Sequence, residues 1–264
     1  MRLKDKVILV TGSYTGIGRA IARRCVNEGA KVVLNGLREE LGQELLQELG
    51  TDNAVHLTID ITEEHAPEKL IEKAIDSFGK LDAVVNNAAI VASSNIDTTT
   101  VPYLERMLAV NTVAPFAIIQ TALPELKKTK GCVVNIGSIN SWSGEPNLLA
   151  YSISKGALMT MSRNLGDSLM RDHGVRVNQI NPGWVLTENE KINQRKQGKV
   201  EDWYEKLPNV FAPAKRIFYP EEIAEGAVYL LSDACGPVSG QVLELEQFPM
   251  IGRNPPKEWE GSHL

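Results

Sequence analysis

Cysteine, histidine and aromatic residues are scarce in this chain, and each shortage narrows what it can do. The three cysteines, Cys25, Cys132 and Cys235, lie far apart among apolar or small residues. That pattern gives neither a disulfide framework nor a zinc site, and it predicts buried structural thiols. The four histidines, His56, His65, His173 and His263, show no ligand spacing with cysteine or carboxylate. They read as surface or loop residues, and no metal is expected in the mechanism. No basic run extends beyond Lys127-Lys128 and nearby Lys130, and the formal net charge is −5, so nothing recommends nucleic acid as a partner. No unbroken apolar stretch approaches the ~20 residues that span a bilayer. The N-terminus passes from Lys4-Asp5-Lys6 directly into an apolar run, without a targeting segment. The expectation is a cytoplasmic protein with no membrane partner.

What is present is regular alternation. In a chain of 264 residues, 43% hydrophobic and 23% charged, strand-like runs at 6–11, 31–35, 54–59, 81–86, 131–137, 175–180 and 240–245 are separated mostly by helical patterns. Seven such strands predict an α/β fold: one doubly wound, Rossmann-type domain over residues 1–264, a parallel sheet with helices on both faces. Ligands in such sheets bind beyond the carboxyl ends of the strands, where Gly12, Asp60, Asn87, Ser138 and Pro182 all fall. Residues 1–137 make one half and 138–247 the other. Residues 187–216, dense in charge and carrying Trp203, Tyr204 and Phe211, suit a helical lid anchored by its aromatics. From 248 onward, Pro249, Pro255 and Pro256 predict an extended tail.

Two segments carry chemistry. The apolar run Lys6–Val10 leads into Thr11-Gly12-Ser13-Tyr14-Thr15-Gly16-Ile17-Gly18 and then a helical stretch. Glycines allow positive φ and close backbone approach, and the bare N–H groups at a helix start bind phosphate charge. The spacing is G-x-x-x-G-x-G and departs from the G-x-G-x-x-G pattern of dinucleotide sites. The second segment is Tyr151-Ser152-Ile153-Ser154-Lys155, in which residues four apart share a helix face and an ammonium group can favour the ionised phenol. A free tyrosine titrates near pH ~10, so a base working near neutrality needs roughly three units of help, about 4 kcal/mol. Alone, such a pair is equally at home on an ordinary surface helix.

With Asn86-Asn87-Ala88-Ala89, Asn111, Ser138 and Asn181-Pro182-Gly183 following in order, the chain resembles the short-chain dehydrogenases/reductases, whose members carry T-G-x-x-x-G-x-G near the N-terminus. The resemblance implies that Tyr151 is the general acid/base, that Lys155 lowers its pKa and binds the nicotinamide ribose, and that Ser138 hydrogen-bonds the reacting oxygen. It implies that Asn111 holds a relay water. Asp60 and Ile61 would meet the adenine, Asn87 and Ala88 the adenosine ribose, and Pro182, Val185 and Thr187 the nicotinamide. Gly12 to Gly18 would hold the pyrophosphate. Ala89 departs from the glycine the family usually has there.

The cofactor expected is NADP(H), favoured slightly over NAD(H). Leu34-Asn35-Gly36-Leu37-Arg38 holds no acid to bind a ribose 2′-OH, and Arg38 suits a 2′-phosphate. Thr15, where phosphate-binding relatives often carry a basic residue, and the neighbouring Glu39 and Glu40 argue the other way. The substrate expected is a small secondary alcohol or ketone. Asn140, Trp142, Glu145, Trp184 and the lid aromatics would form walls suited to a sugar, polyol or ring ketone. A catalytically silent dinucleotide sensor on the same fold is the alternative, one that would not need Ser138, Tyr151 and Lys155 together. The family's usual Asp-Gly-Gly turn after the last strand is replaced by Glu246-Gln247-Phe248-Pro249. A tail crossing between subunits of a homo-oligomer, a tetramer or dimer, is the reading this suggests.

Overall fold

The first strand sets the layers. Val7 and Leu9 point into one hydrophobic cluster, and Ile8 and Val10 point into another on the opposite face, the two-residue alternation of a strand buried on both sides. The computed structural model describes residues 1–249. It contains β1 (Val7–Val10), β2 (Lys31–Gly36), β3 (Ala54–Thr58), β4 (Ala83–Asn86), β5 (Cys132–Ile136), β6 (Arg176–Pro182) and β7 (Val242–Leu245). They form one seven-stranded sheet of order β3-β2-β1-β4-β5-β6-β7, with every neighbouring pair parallel. All seven expected strands are therefore present. β3 stops at Thr58, so Asp60 lies in the loop beyond the strand instead of closing it.

Nine α-helices cover the sheet among the described residues: α1 (Gly16–Asn27), α2 (Glu39–Leu49), α3 (Ala66–Phe78), α4 (Val101–Leu108), α5 (Ala114–Thr129), α6 (Asn140–Ser143), α7 (Leu149–His173), α8 (Glu188–Lys196) and α9 (Pro220–Leu231). Ile21 and Cys25 of α1, Leu45 of α2 and Ile223, Val228 and Leu231 of α9 fill one face. Leu70 and Ile71 of α3 and Ile118, Ala122 and Leu126 of α5 fill the other, with Leu165 and Leu169 of α7 against it. Each fully buried aliphatic side chain contributes about 1.5–3 kcal/mol. The three cysteines are buried and free, as the sequence predicts.

The continuous run Val101–Thr129 is long and apolar enough, by length and composition, to cross a membrane. Glu105, Arg106 and three prolines interrupt its apolar sequence. Its Met107, Ile118, Ile119, Ala122 and Leu126 are buried within this fold.

The 187–216 segment, expected to be a helical lid, is less helical than that: only α8 and a short turn at Trp203–Glu205 are helical within it. Trp203 is buried, while Phe211 is exposed. After β7, the Gln247 side chain accepts from Ala214 N and donates to Arg216 O, at 2.8 and 2.6 Å. In place of a glycine turn, the residue beyond the last strand thus ties down the end of the 187–216 segment. The tail expected to reach a second subunit lies, from residue 250, outside the described residues.

Candidate active site

The glycine loop is shaped by a close approach. Gly12 has φ +61°, and a Cβ there would lie 2.7 Å from Ala88 Cα. Both the backbone sign and the packing demand glycine. Thr11 ties the two segments together: its Oγ1 accepts from the N–H groups of Asn87 and Ala88 at 3.0 and 3.1 Å. The Asn87 amide donates to Thr11 O and Gly12 O, both at 3.0 Å. Thr15 precedes α1 without making a side-chain cap, and no acidic residue stands in that helix's first turn. The helix therefore presents bare N–H groups and its positive dipole end with no competing carboxylate, a cradle that fits a pyrophosphate. Thr187 borders it, 3.3 Å from where a Gly16 Cβ would stand, although its hydroxyl also caps α8 by accepting from Glu190 N.

At the carboxyl end of β5, the Ser138 hydroxyl stands near enough to the Tyr151 phenol to favour its ionised form. Lys155 donates to Ile136 O at 2.7 Å, and its Nζ lies 5.8 Å from the Tyr151 ring centre. The four-residue spacing on α7 thus brings phenol and amine to the same strand end. Ser138, Tyr151 and Lys155 are all buried, at 8%, 8% and 2% exposure. Burial pushes the Tyr151 phenol up to about 12, with the Ser138 hydroxyl pulling the other way. Burial pulls Lys155 down to about 7. Among the chain's own groups, desolvation favours the neutral form of both side chains.

Asn111 sits in a π-turn, Ala109–Val113, between α4 and α5. Its Oδ1 accepts from Ile90 N at 2.8 Å, and its Nδ2 donates to Ile90 O and Ser154 Oγ. Both amide hydrogens are thus engaged, leaving only spare acceptor capacity on Oδ1 for a relay water.

Comparisons with known proteins give the family. A family model described as enoyl-(acyl carrier protein) reductase matches residues 12–246. An uncharacterized oxidoreductase of Thermotoga maritima is 32% identical over 93% of this chain and 98% of its own length. An NADP-dependent (R)-specific alcohol dehydrogenase of Lentilactobacillus kefiri is 35% identical over 88% of this chain and 91% of its own. The L-fucose dehydrogenase of Mus musculus is 35% identical over 88% and 84%. The chain belongs to the short-chain dehydrogenase/reductase family. It is accordingly an oxidoreductase acting on CH–OH and C=O groups, of a family that uses a nicotinamide cofactor.

Several expected contacts of this short-chain dehydrogenase/reductase differ in detail. Tyr14 turns inward: it is buried, and its hydroxyl meets Thr58 Oγ1 at 2.9 Å and His56 Nδ1 at 3.4 Å. Only its backbone remains for a ligand. The Ser13 side chain is likewise spent on the Asn35 backbone. Asp60 accepts from Thr62 N and forms an ion pair with Arg106 at 2.8 Å, so its carboxylate is already engaged. Ile61 and Val185 are buried, Ile17 is half-buried, and Pro182 ends β6. Arg38 is exposed just before α2, and no ion pair holds it among the described residues. Asn140 opens the short helix α6, donating its N–H to Ser138 Oγ at 3.2 Å.

Trp184 stacks on Trp203 with ring centres 4.8 Å apart and donates from Nε1 to Glu190 at 2.8 Å, joining the loop after β6 to the 187–216 segment. Trp142 lies beneath Arg163, 4.6 Å from its ring centre, and Glu145 is exposed. Sequence reasoning missed Asn35, whose amide donates to Leu57 O and Ile59 O and locks the loop to β2 and β3. It also missed Gln179, and it gave the Asn181 side chain no role. The available signal was polar residues in otherwise apolar strand runs.

Proposed function

We propose that this enzyme moves a hydride between NADP(H) and a small secondary alcohol or ketone, with Tyr151 as acid/base. The observation that carries the reading is the buried cluster of Ser138, Tyr151 and Lys155 at one strand end, on the sheet edge that also holds the glycine loop. In the reducing direction Tyr151 gives its proton to the carbonyl oxygen, and a phenol held near 12 carries that proton throughout the neutral range. Ser138 donates to the same oxygen and stabilises the charge that develops there. Lys155, titrating near 7, exchanges protons near neutrality and returns one toward the phenol. When bound, the nicotinamide dinucleotide supplies or takes the hydride and, in its oxidised form, adds a positive charge beside the pair. In oxidation Tyr151 removes the alcohol proton, which its own surroundings oppose.

The preference for NADP(H) rests on the end of β2. Gly36 bears no side chain there, and Arg38 stands exposed with no ion pair to neutralise it among the described residues. Glu39, the acid beside it, is turned to His56 and Gln43. With Trp184 committed to the lid, Asn140 remains the polar group beside Ser138, which suits a hydroxylated or ring substrate. Titration with NADPH and with NADH, followed by cofactor fluorescence, tests the reading. Tighter binding of NADPH, weakened selectively by Arg38→Gln, is expected. Binding of neither cofactor by folded protein would overturn the glycine-loop assignment. Tighter NADH binding would overturn the role of Arg38.

A further inference from the structure

We infer that Gln179 and Asn181 of β6 are positioning residues that fix Ser138, and through the β5 end Lys155, by a buried chain of side-chain hydrogen bonds. The inference rests on the reading of Ser138 and Tyr151 as the reacting pair. Asn181 Oδ1 accepts from two donors: the Ser138 backbone N–H at 3.1 Å and Gln179 Nε2 at 2.7 Å. Gln179 Oε1 accepts from Ser162 Oγ at 2.8 Å. Ser162 accepts from Asn135 Nδ2 at 2.8 Å, and Asn135 accepts from Asn86 Nδ2 at 2.9 Å. Ser162 Oγ also stands 2.8 Å from Leu158 O, so its single hydrogen is shared between that carbonyl and Gln179 Oε1. Asn135, Ser162, Gln179 and Asn181 are 0% exposed and Asn86 is 3% exposed.

Four amides at this depth cost stability unless paired, and apolar side chains of similar size would fill the space more cheaply. What the amides add is direction. Beyond Ile136 the β5 backbone keeps pairing with β6 through Gly137 N to Ile180 O at 2.7 Å and Ile139 N to Pro182 O at 3.2 Å. The N–H between them, that of Ser138, is taken by the Asn181 side chain. Gly137 makes the room: a Cβ there would overlap Asn181 Oδ1 and Gln179 Nε2. The segment so held carries Ile136 O, which accepts from Lys155, and the Ser138 hydroxyl beside the Tyr151 phenol. At the far end, Asn86 leads into Asn87 and Ala88, which bond the glycine loop. One polar chain therefore links the cofactor cradle to the reacting serine through the middle of the sheet.

The test compares Gln179→Leu, Asn181→Ala and Asn181→Asp in the full chain. Aspartate retains an oxygen for both donors. With a panel of secondary ketones and NADPH, Gln179→Leu and Asn181→Ala are expected to lower kcat about tenfold or more, since a sub-ångström displacement of a reacting group is enough. Cofactor affinity should change less than about twofold, and the ionisation seen in kcat/KM should move to higher pH as the Ser138 hydroxyl moves off the phenol. Asn181→Asp should recover most of the loss. Independently of turnover, the Ser138 amide hydrogen should exchange faster by NMR in Gln179→Leu and Asn181→Ala. If these variants were merely less heat-stable, with unchanged kcat, pH profile and Ser138 exchange, the inference would be overturned. If Asn181→Ala does not fold, Ser162→Ala, which leaves Asn181 in place but removes the donor to Gln179 and the acceptor of Asn135, gives the same readouts in milder form. Absence of turnover in the unaltered enzyme would count against the proposed reaction, while the exchange measurement would still decide the positioning role.

Discussion

Lys155 shows how burial sets the chemistry of a single residue. Its amine titrates near 7 instead of the ordinary lysine value of 10.5 because burial disfavours the charge. The folded state therefore binds fewer protons than the unfolded state between those values, and by linkage the lysine's destabilising effect is largest below pH 7 and fades as pH rises toward 10.5. Lys155→Met should accordingly raise the melting temperature at pH 6–7 and lose that advantage toward pH 10, as followed by calorimetry across pH. The net gain should be on the order of a few kcal/mol at most, offset by the unpaired Ile136 carbonyl. A variant that melted lower at pH 6 than the unaltered enzyme would show that the amine is better solvated than this. The tyrosine–lysine spacing was legible in the sequence, but the desolvation of the pair was not, because it depends on depth within the fold.

At the scale of elements, Tyr14 joins four segments. A Cβ on Gly36 would overlap its ring, and one on Gly42 would come within 2.7 Å of its Cζ. The two glycines at the end of β2 and in α2 thus form the slot into which the glycine loop's own side chain fits. Gly36→Ala should cost about 1–3 kcal/mol by overpacking. In a Tyr14→Ala background the same change should cost much less, a coupling of at least about 1 kcal/mol measurable by urea unfolding. Additive costs would mean the ring moves aside freely. The sequence marked this loop from its glycines but assigned Tyr14 to the cofactor, since nothing local tells an inward tyrosine from an outward one. The lid gives a similar contrast. Its aromatics were recognised as anchors, yet the partner of Trp203 is Trp184, distant in sequence and assigned instead to the substrate wall. Trp203→Ala should release α8, raising proteolytic cleavage within 187–216 and raising substrate KM about tenfold, with cofactor affinity unchanged. Unaltered cleavage would argue against the stacked pair as the anchor.

Over the whole molecule, apolar runs alternating with helical patterns were enough to specify seven parallel strands and two covered faces, because a strand buried on both sides reads as a near-continuous apolar run. Strand order and the polar chain through β4, β5 and β6 were not legible, since they depend on which strands become neighbours. The surface carries a further expectation. Val113, Phe116 and Ile153 are exposed, and Thr112 is bonded to Ser154 O, which brings the neighbourhoods of Val113 and Ile153 together. With the family's usual assembly implied by resemblance, this face suits contact with a second copy. Phe116→Glu with Ile153→Glu should reduce the mass measured by light scattering, whereas a monomeric unaltered enzyme would remove the proposal.

The central claim is that Tyr151 is the proton donor in carbonyl reduction. Single-turnover reduction of a secondary-ketone panel by protein preloaded with NADPH, followed through loss of reduced-nicotinamide absorbance, tests it in unaltered enzyme and Tyr151→Phe. The account predicts rapid oxidation of bound NADPH by the unaltered enzyme, and a rate lower by about 10²–10⁴ in Tyr151→Phe at equal cofactor occupancy. Comparable rates in the two proteins would contradict it.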